Sequence, residues 1–176
     1  NNAIRDELKK LAEVAGWSPQ QEVAPFPTAP GARVDLLVSV RAGPRREFLA
    51  IDPAVISPLT EASMPAAIAS AGGAAKRYES NKYARYLAPA QAAGITFIPL
   101  VSDALGAFSP TAVPFLRRLA IAFGRAEGVK PHRAPSLVMG RLVALLATEI
   151  GRTLAACVAG AFADEGSSCG APAACE

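Results

Sequence analysis

Residues 33–56, RVDLLVSVRAGPRREFLAIDPAVI, decide how this chain is read. Two apolar runs flank a turn-like RAGPRR. A hairpin centred between Gly43 and Pro44 sets Asp35 directly opposite Asp52, because each lies equally far from that centre. Like charges facing each other across two strands destabilise a sheet. Carboxylates in apolar strands cost free energy unless a proton or a cation neutralises them, and a divalent metal with oxygen ligands is the usual neutraliser. The hairpin therefore reads as a metal site. Pro53 qualifies the register: proline cannot donate to a ladder, so its place beside Asp52 implies an edge, a bulge or a locally broken pairing. A bulge there would shift Asp35 away from Asp52.

The hairpin strands are apolar on both faces, with Val34, Leu36 and Val38 alternating against Leu37, and Leu49, Ile51 and Val55 against Phe48 and Ile56. Strands of this kind are covered on both sides. Upstream, Ile4, Leu8, Leu11, Ala12 and Ala15 share a helical stripe that Gly16 stops, and QQEVAPF forms a short strand before the Pro-rich PTAPGA. Downstream, a small-residue stretch leads into a helix, AKRYESNKYARYLAPAQAAG, ending at Gly94, and ITFIPLV is a buried strand. The order is α, β, β, β, α, β. Beyond it lie an Ala- and Arg-rich helix, PTAVPFLRRLAIAFGRA, the loop GVKPHRAPS and a long C-terminal helix.

The chain has 176 residues, 51% of them hydrophobic, which suits one globular core with no need of a staple. Positions 1–125 form that core, 126–165 a helical extension, and 166–176 a small, polar, disordered tail. Cys157, Cys169 and Cys175 are odd in number, lack close pairing and have no neighbouring histidine, so neither a zinc site nor a disulfide framework is indicated. The first residues, NNAIRDELKK, lack the apolar segment of a secretory signal, so secretion is not expected from them. The most apolar stretch, LVMGRLVALLATEIGRTLAACVAGAFA, is broken by Arg141, Glu149 and Arg152, so it reads as a packed or self-associating helix, not a membrane span. Early entry into a helix suits a piece of a longer polyprotein.

Net charge is only +3, but the cations cluster. Arg41 stands with Arg45 and Arg46, a second group runs from Lys76 to Arg85, and a third comprises Arg117, Arg118, Arg125, Lys130 and Arg133. Such clusters suit a polyanion, although a solvated helix face accounts equally for any one of them.

The αβββαβ order, with an acid in the first helix, acids in the second and third strands and a nearby lysine, resembles the PD-(D/E)XK, or restriction-endonuclease-like, nuclease superfamily. More narrowly, DELKKLAEVAGWSPQ, RVDLLV, LAIDPAVISPL, KRYESNKYARY and GITFIPLV are similar to the nuclease-like domain at the end of reverse-transcriptase-bearing retroelement polyproteins. The resemblance covers Ile4 to Phe123. It implies an α/β fold with a mixed central sheet flanked by helices, here extended by C-terminal helices. It also implies divalent-metal-dependent hydrolysis of DNA phosphodiester bonds, with Asp35 and Asp52 holding Mg²⁺ or Mn²⁺, Glu7 as the helix acid, and a location inside the cell, nuclear for a eukaryotic element.

Glu22, in the following strand, competes with Glu7 for the third acidic place, and Glu7 also suits the positive end of its helix. Ala54 stands where the superfamily signature has lysine. Lys82, with Lys76 second, is then the candidate for supplying the cation from the following helix, since Tyr78, Lys82, Arg85 and Tyr86 share one helix face. The alternative for Lys82 is a solvated pair with Glu79. Arg45, Arg46, Lys76, Arg77 and Arg85 are the expected nucleic-acid contacts, Tyr83 and Tyr86 suit packing before base stacking, Trp17 suits a core or hinge anchor, and His132 falls in a loop as an ordinary exposed residue. Two other functions compete with cleavage: a nuclease-fold module without chemistry that binds nucleic acid or protein, and an unrelated α/β protein using the two acids for a structural ion. A homodimer through the C-terminal helix would ease cutting of both strands of a duplex.

Overall fold

The hairpin register holds without a bulge. In the computed structural model, which describes residues 2–167, β2 (Val34–Ala42) and β3 (Arg45–Ile56) pair antiparallel from Ala42 opposite Arg45 to Leu36 opposite Ile51. The next step of that register sets Asp35 opposite Asp52. Gly43 opens the two-residue turn with φ +63°, a conformation that suits the primed hairpin turns and that glycine adopts without steric cost.

A four-stranded mixed sheet is built around this hairpin, in the order β1-β2-β3-β4. The first strand, β1 (Ser18–Val23), pairs antiparallel with β2, and β4 (Thr96–Asp103) pairs parallel with β3. Pro53 lies in a central strand, which its missing N–H would ordinarily forbid. It is accommodated because β2 begins at Val34: the β2–β3 ladder ends at Leu36–Ile51, so beyond Asp52 the third strand has a neighbour only in β4. Pro53 is thus locally at an edge, and the register is not displaced.

Helices cover both faces, as strands apolar on both sides require. On one face α1 (Asn2–Val14), α4 (Ala112–Ala126) and α5 (Ala134–Ser167) pack on Leu36, Val38, Leu49, Ile51 and Leu100 through Ile4, Leu8, Leu11, Phe115, Leu119, Val138, Leu142 and Leu146. Trp17 joins this core with its ring 6.3 Å from that of Phe115. On the other face α3 (Gly73–Ala92) lies over Ala50, Ala54, Phe97 and Val101. Tyr83 and Tyr86 pack there, their rings 6.0 and 5.2 Å from Phe97, and are used in the core. The short α2 (Met64–Ala69) precedes α3, and a Cβ on Gly73 would lie 2.0 Å from the Ala66 carbonyl oxygen. Only glycine allows that approach, which fixes where α3 begins.

From Ala134 to Arg152 α5 is long and apolar enough to cross a membrane by length and composition, with 22% of its apolar window buried inside the domain. Val138, Leu142 and Leu146 recur at i, i+4 and i+8 and form its stripe on the core. The stretch read as a tail begins within this helix, at positions 166 and 167, and its remainder lies outside the described residues.

Candidate functional site

The acid pair lies beneath α3. Side chains alternate along β3, so Asp52 shares the face of Ala50 and Ala54, the two residues on either side of it that pack toward α3. Asp35, opposite it, shares that face. From α3, Lys82 Nζ donates to Asp52 Oδ2, and both side chains are 14% exposed. This ion pair occupies the gap between two apolar clusters, one centred on Ala50, Ala90 and Phe97 and the other on Ala54, Ala75 and Val101. Helical spacing explains the placement. Ala75, Glu79, Lys82, Tyr86 and Ala90 follow one another at steps of three or four residues, so the helix face that packs on the sheet necessarily delivers residue 82 between the clusters.

Lys82 does not pair with Glu79. Glu79 is buried and accepts a hydrogen bond from the Thr111 hydroxyl at the start of α4, so it serves to tie α3 to that helix. Lys76 is exposed and is not part of the acid pair. Its nearest neighbours in the expected cation group divide likewise: Arg77 donates to the Ala62 carbonyl at 2.6 Å, and Arg85 lies exposed with its guanidinium 5.1 Å from the Tyr86 ring centre.

Burial, and then the facing charge of Asp52, push the Asp35 carboxyl above the usual range for an aspartate, with Lys82 and Arg5 acting in the opposite sense. Among the described residues Asp35 makes neither an ion pair nor a side-chain hydrogen bond. Its oxygens are therefore left without a donor while a second carboxylate faces them. A bound cation would relieve both conditions.

Of the two competing third acids, Glu7 is engaged elsewhere. It belongs to the buried stripe of α1, and Arg141 of α5 brings Nη2 within 2.6 Å of its Oε1, a close ion pair without hydrogen-bond alignment, on the side of the sheet away from α3. Glu22 falls in β1 between Gln21, opposite Leu36, and Val23, opposite Val34, which places it beside Asp35 in the register. Its φ of +53° breaks the pairing at that point. The row across the sheet thus runs Glu22, Asp35, Asp52. Arg5 donates to Glu22 at 2.7 Å and to Asp6 at 3.1 Å, which holds the Asp6 carboxyl below its ordinary value. Among the described residues no three His, Cys, Asp or Glu side chains converge closely enough to form a metal centre by themselves. The donor set is a carboxylate pair.

Arg5 has no role in the sequence reading, because an arginine next to an aspartate in the first helical turn looks like solvated surface. Only the return of β1 beneath the helix brings it to Glu22. Arg45 and Arg46 lie at the turn of the hairpin, six or seven residues along the strands from the acids, which at ~3.3 Å per residue is roughly 20 Å away. His132 is exposed between α4 and α5. No protein-family model matches the chain, and no curated protein matches its sequence.

Proposed function

We propose that the chain is a divalent-metal-dependent nuclease that hydrolyses DNA phosphodiester bonds at Asp35, Asp52 and Lys82. One observation supports this above the others: two carboxylates face each other in a water-poor gap, one of them held by a lysine from the covering helix and the other left without a donor. The αβββαβ order and the parallel pairing of β3 with β4 are compatible with the restriction-endonuclease-like core that the motifs resemble. Those motifs also support a setting in a mobile element.

The fit to Mg²⁺ or Mn²⁺ follows from donor chemistry. Both ions prefer carboxylate oxygens, and Mg²⁺ keeps several waters and takes substrate phosphate to complete its shell, so a two-carboxylate site suffices. Asp35 would contribute its unpartnered oxygens and Asp52 the oxygen that Lys82 does not occupy. When bound, the ion would supply a water of lowered pKa and offset charge on the phosphoryl group. Lys82 fixes the rotamer of Asp52 and carries a positive charge beside it, where a cation can orient the attacking water or stabilise the phosphorus centre. Ala54, at the position where the superfamily signature has lysine, is buried against Val101 and Ala75, so the cation has to come from the helix. Glu22, beside Asp35 in the register but held by Arg5, stands outside the donor pair, as does Glu7 held by Arg141.

Cleavage of supercoiled plasmid with Mg²⁺ or Mn²⁺ tests the proposal, with wild type compared against Asp52→Asn. Nicking by the wild type that falls at least about 100-fold in the variant supports it. Folded wild-type protein that binds DNA in a salt-sensitive way without cutting it would favour the nuclease-fold binding module.

A further inference from the structure

We infer that the turn of the β2–β3 hairpin and the outer face of α4 form a phosphate-binding track that holds nucleic-acid backbone, roughly 20 Å from the acid pair. The inference rests on the nucleic-acid partner proposed above, but not on cleavage. Register places Arg41 directly opposite Arg46. Both are exposed, so water screens their repulsion, and two neighbouring guanidiniums are presented to a shared anion. Arg41, Arg45 and Arg46 border a hollow of about 400 Å³ at the turn. Arg41 also borders a second hollow of about 450 Å³, with Arg117, Arg118 and Arg125 on α4 and Trp17 at its wall.

Six arginines thus line two hollows that share one residue. Only Arg118 is matched by a carboxylate among the described residues, with Nη2 2.6 Å from Glu47 Oε2. Arg117 and Arg125 are separated by eight residues, two turns of helix, or ~12 Å along its axis. That length corresponds to three or four nucleotides of one strand at ~3.4 Å each. A single phosphate group would be served by one hollow; a track of this length fits a polymer with repeated anions. The use of arginine throughout suits the same partner, since the planar fork meets two phosphate oxygens at once and is more weakly hydrated than an ammonium. The Arg41–Arg46 end of the track lies on the hairpin that carries Asp35 and Asp52, so backbone bound at that end is in fixed register with the acid pair.

The test is fluorescence anisotropy of a labelled 30-base-pair duplex with the full chain, titrated at several salt concentrations without divalent metal. The variants are Arg117→Gln/Arg125→Gln, Arg41→Gln/Arg46→Gln and Arg117→Lys/Arg125→Lys, each with its fold checked by circular dichroism. Each Gln double variant is expected to bind about tenfold more weakly at low salt, with the slope of log affinity against log salt reduced by about two. The Lys double variant keeps the slope. Wild-type affinity and slope in both Gln variants would overturn the inference, as would binding to phosphatidylserine vesicles in place of the duplex. Absence of plasmid cleavage with these binding results intact would remove the catalytic proposal and leave the track standing.

Discussion

The two ends of the β2–β3 hairpin carry the same local arrangement with opposite charge. At one end Asp35 faces Asp52, and at the other Arg41 faces Arg46, on the same pair of strands and by the same register. What differs is the cover. The acidic end lies under α3, where desolvation raises the cost of each charge and a lysine 30 residues away in sequence has been brought in to meet one of them. The basic end is exposed, and water screens it. A like-charge pair in solvent costs little, whereas the same pair under a helix must be answered by a cation, a proton or a metal. Burial, not pairing, makes the acidic end a candidate centre.

Removing the covering cation should produce the largest effect. Lys82→Ala leaves Asp52 facing Asp35 in a mostly buried gap, and a loss of about 3 kcal/mol is expected in metal-free urea unfolding, the lower end of the range for a buried pair that loses one partner. A change below ~0.5 kcal/mol would show that water reaches the gap and that the two ends of the hairpin are equivalent.

A smaller effect of opposite sign is expected at the facing acid. The folded-state pKa of Asp35 is raised, so the folded protein holds that proton more tightly than the unfolded chain. Its contribution to stability is therefore present below the ordinary aspartate pKa of ~3.9 and is lost as pH rises through the raised value. Asp35→Asn should make the metal-free protein more stable at neutral pH by up to ~1 kcal/mol, the range of a cross-strand charge pair, and should flatten the mildly acidic part of its stability curve. Thermal unfolding between pH 4 and pH 7 reads both. Stability that rises more steeply with pH in the wild type than in the variant would reverse the assignment.

The smallest change belongs to the exposed end. Arg46→Gln relieves the repulsion with Arg41 in solvent, and its effect on the unfolding midpoint should stay within ~0.5 kcal/mol. A gain well above that would mean that the turn is less solvated than its exposed arginines indicate.

Much of this was legible in the chain because the signals were local. Register follows from the turn, so counting from Gly43 and Pro44 sets Asp35 opposite Asp52; the same count sets Arg41 opposite Arg46. Apolar residues on both faces of the hairpin required helices on both sides of the sheet, and both are found. The stripe from Ile4 to Ala12 identified α1, and Gly16 its end. Glu7 was harder to read. A glutamate one turn into an amphipathic helix can face a site or a neighbouring helix, and Arg141, 134 positions later, decides for the neighbour. Pro53 could mean a bulge or an edge, and the point at which β2 begins decides for an edge.

The sequence by itself determined periodicity, the hairpin register and the alternation of faces, because these depend on dihedral preferences and on residues within a few positions of one another. Tertiary structure alone decided which of the facing charges is buried, that Lys82 and not Lys76 meets Asp52, that Glu79 is tied to Thr111, and that α4 brings its arginines to the hairpin turn. These depend on how helices distant in sequence settle on the two faces of the sheet. That settling is governed by apolar area buried across the whole domain, and desolvation, which gives a charge its chemical consequence, exists only once the cover is in place.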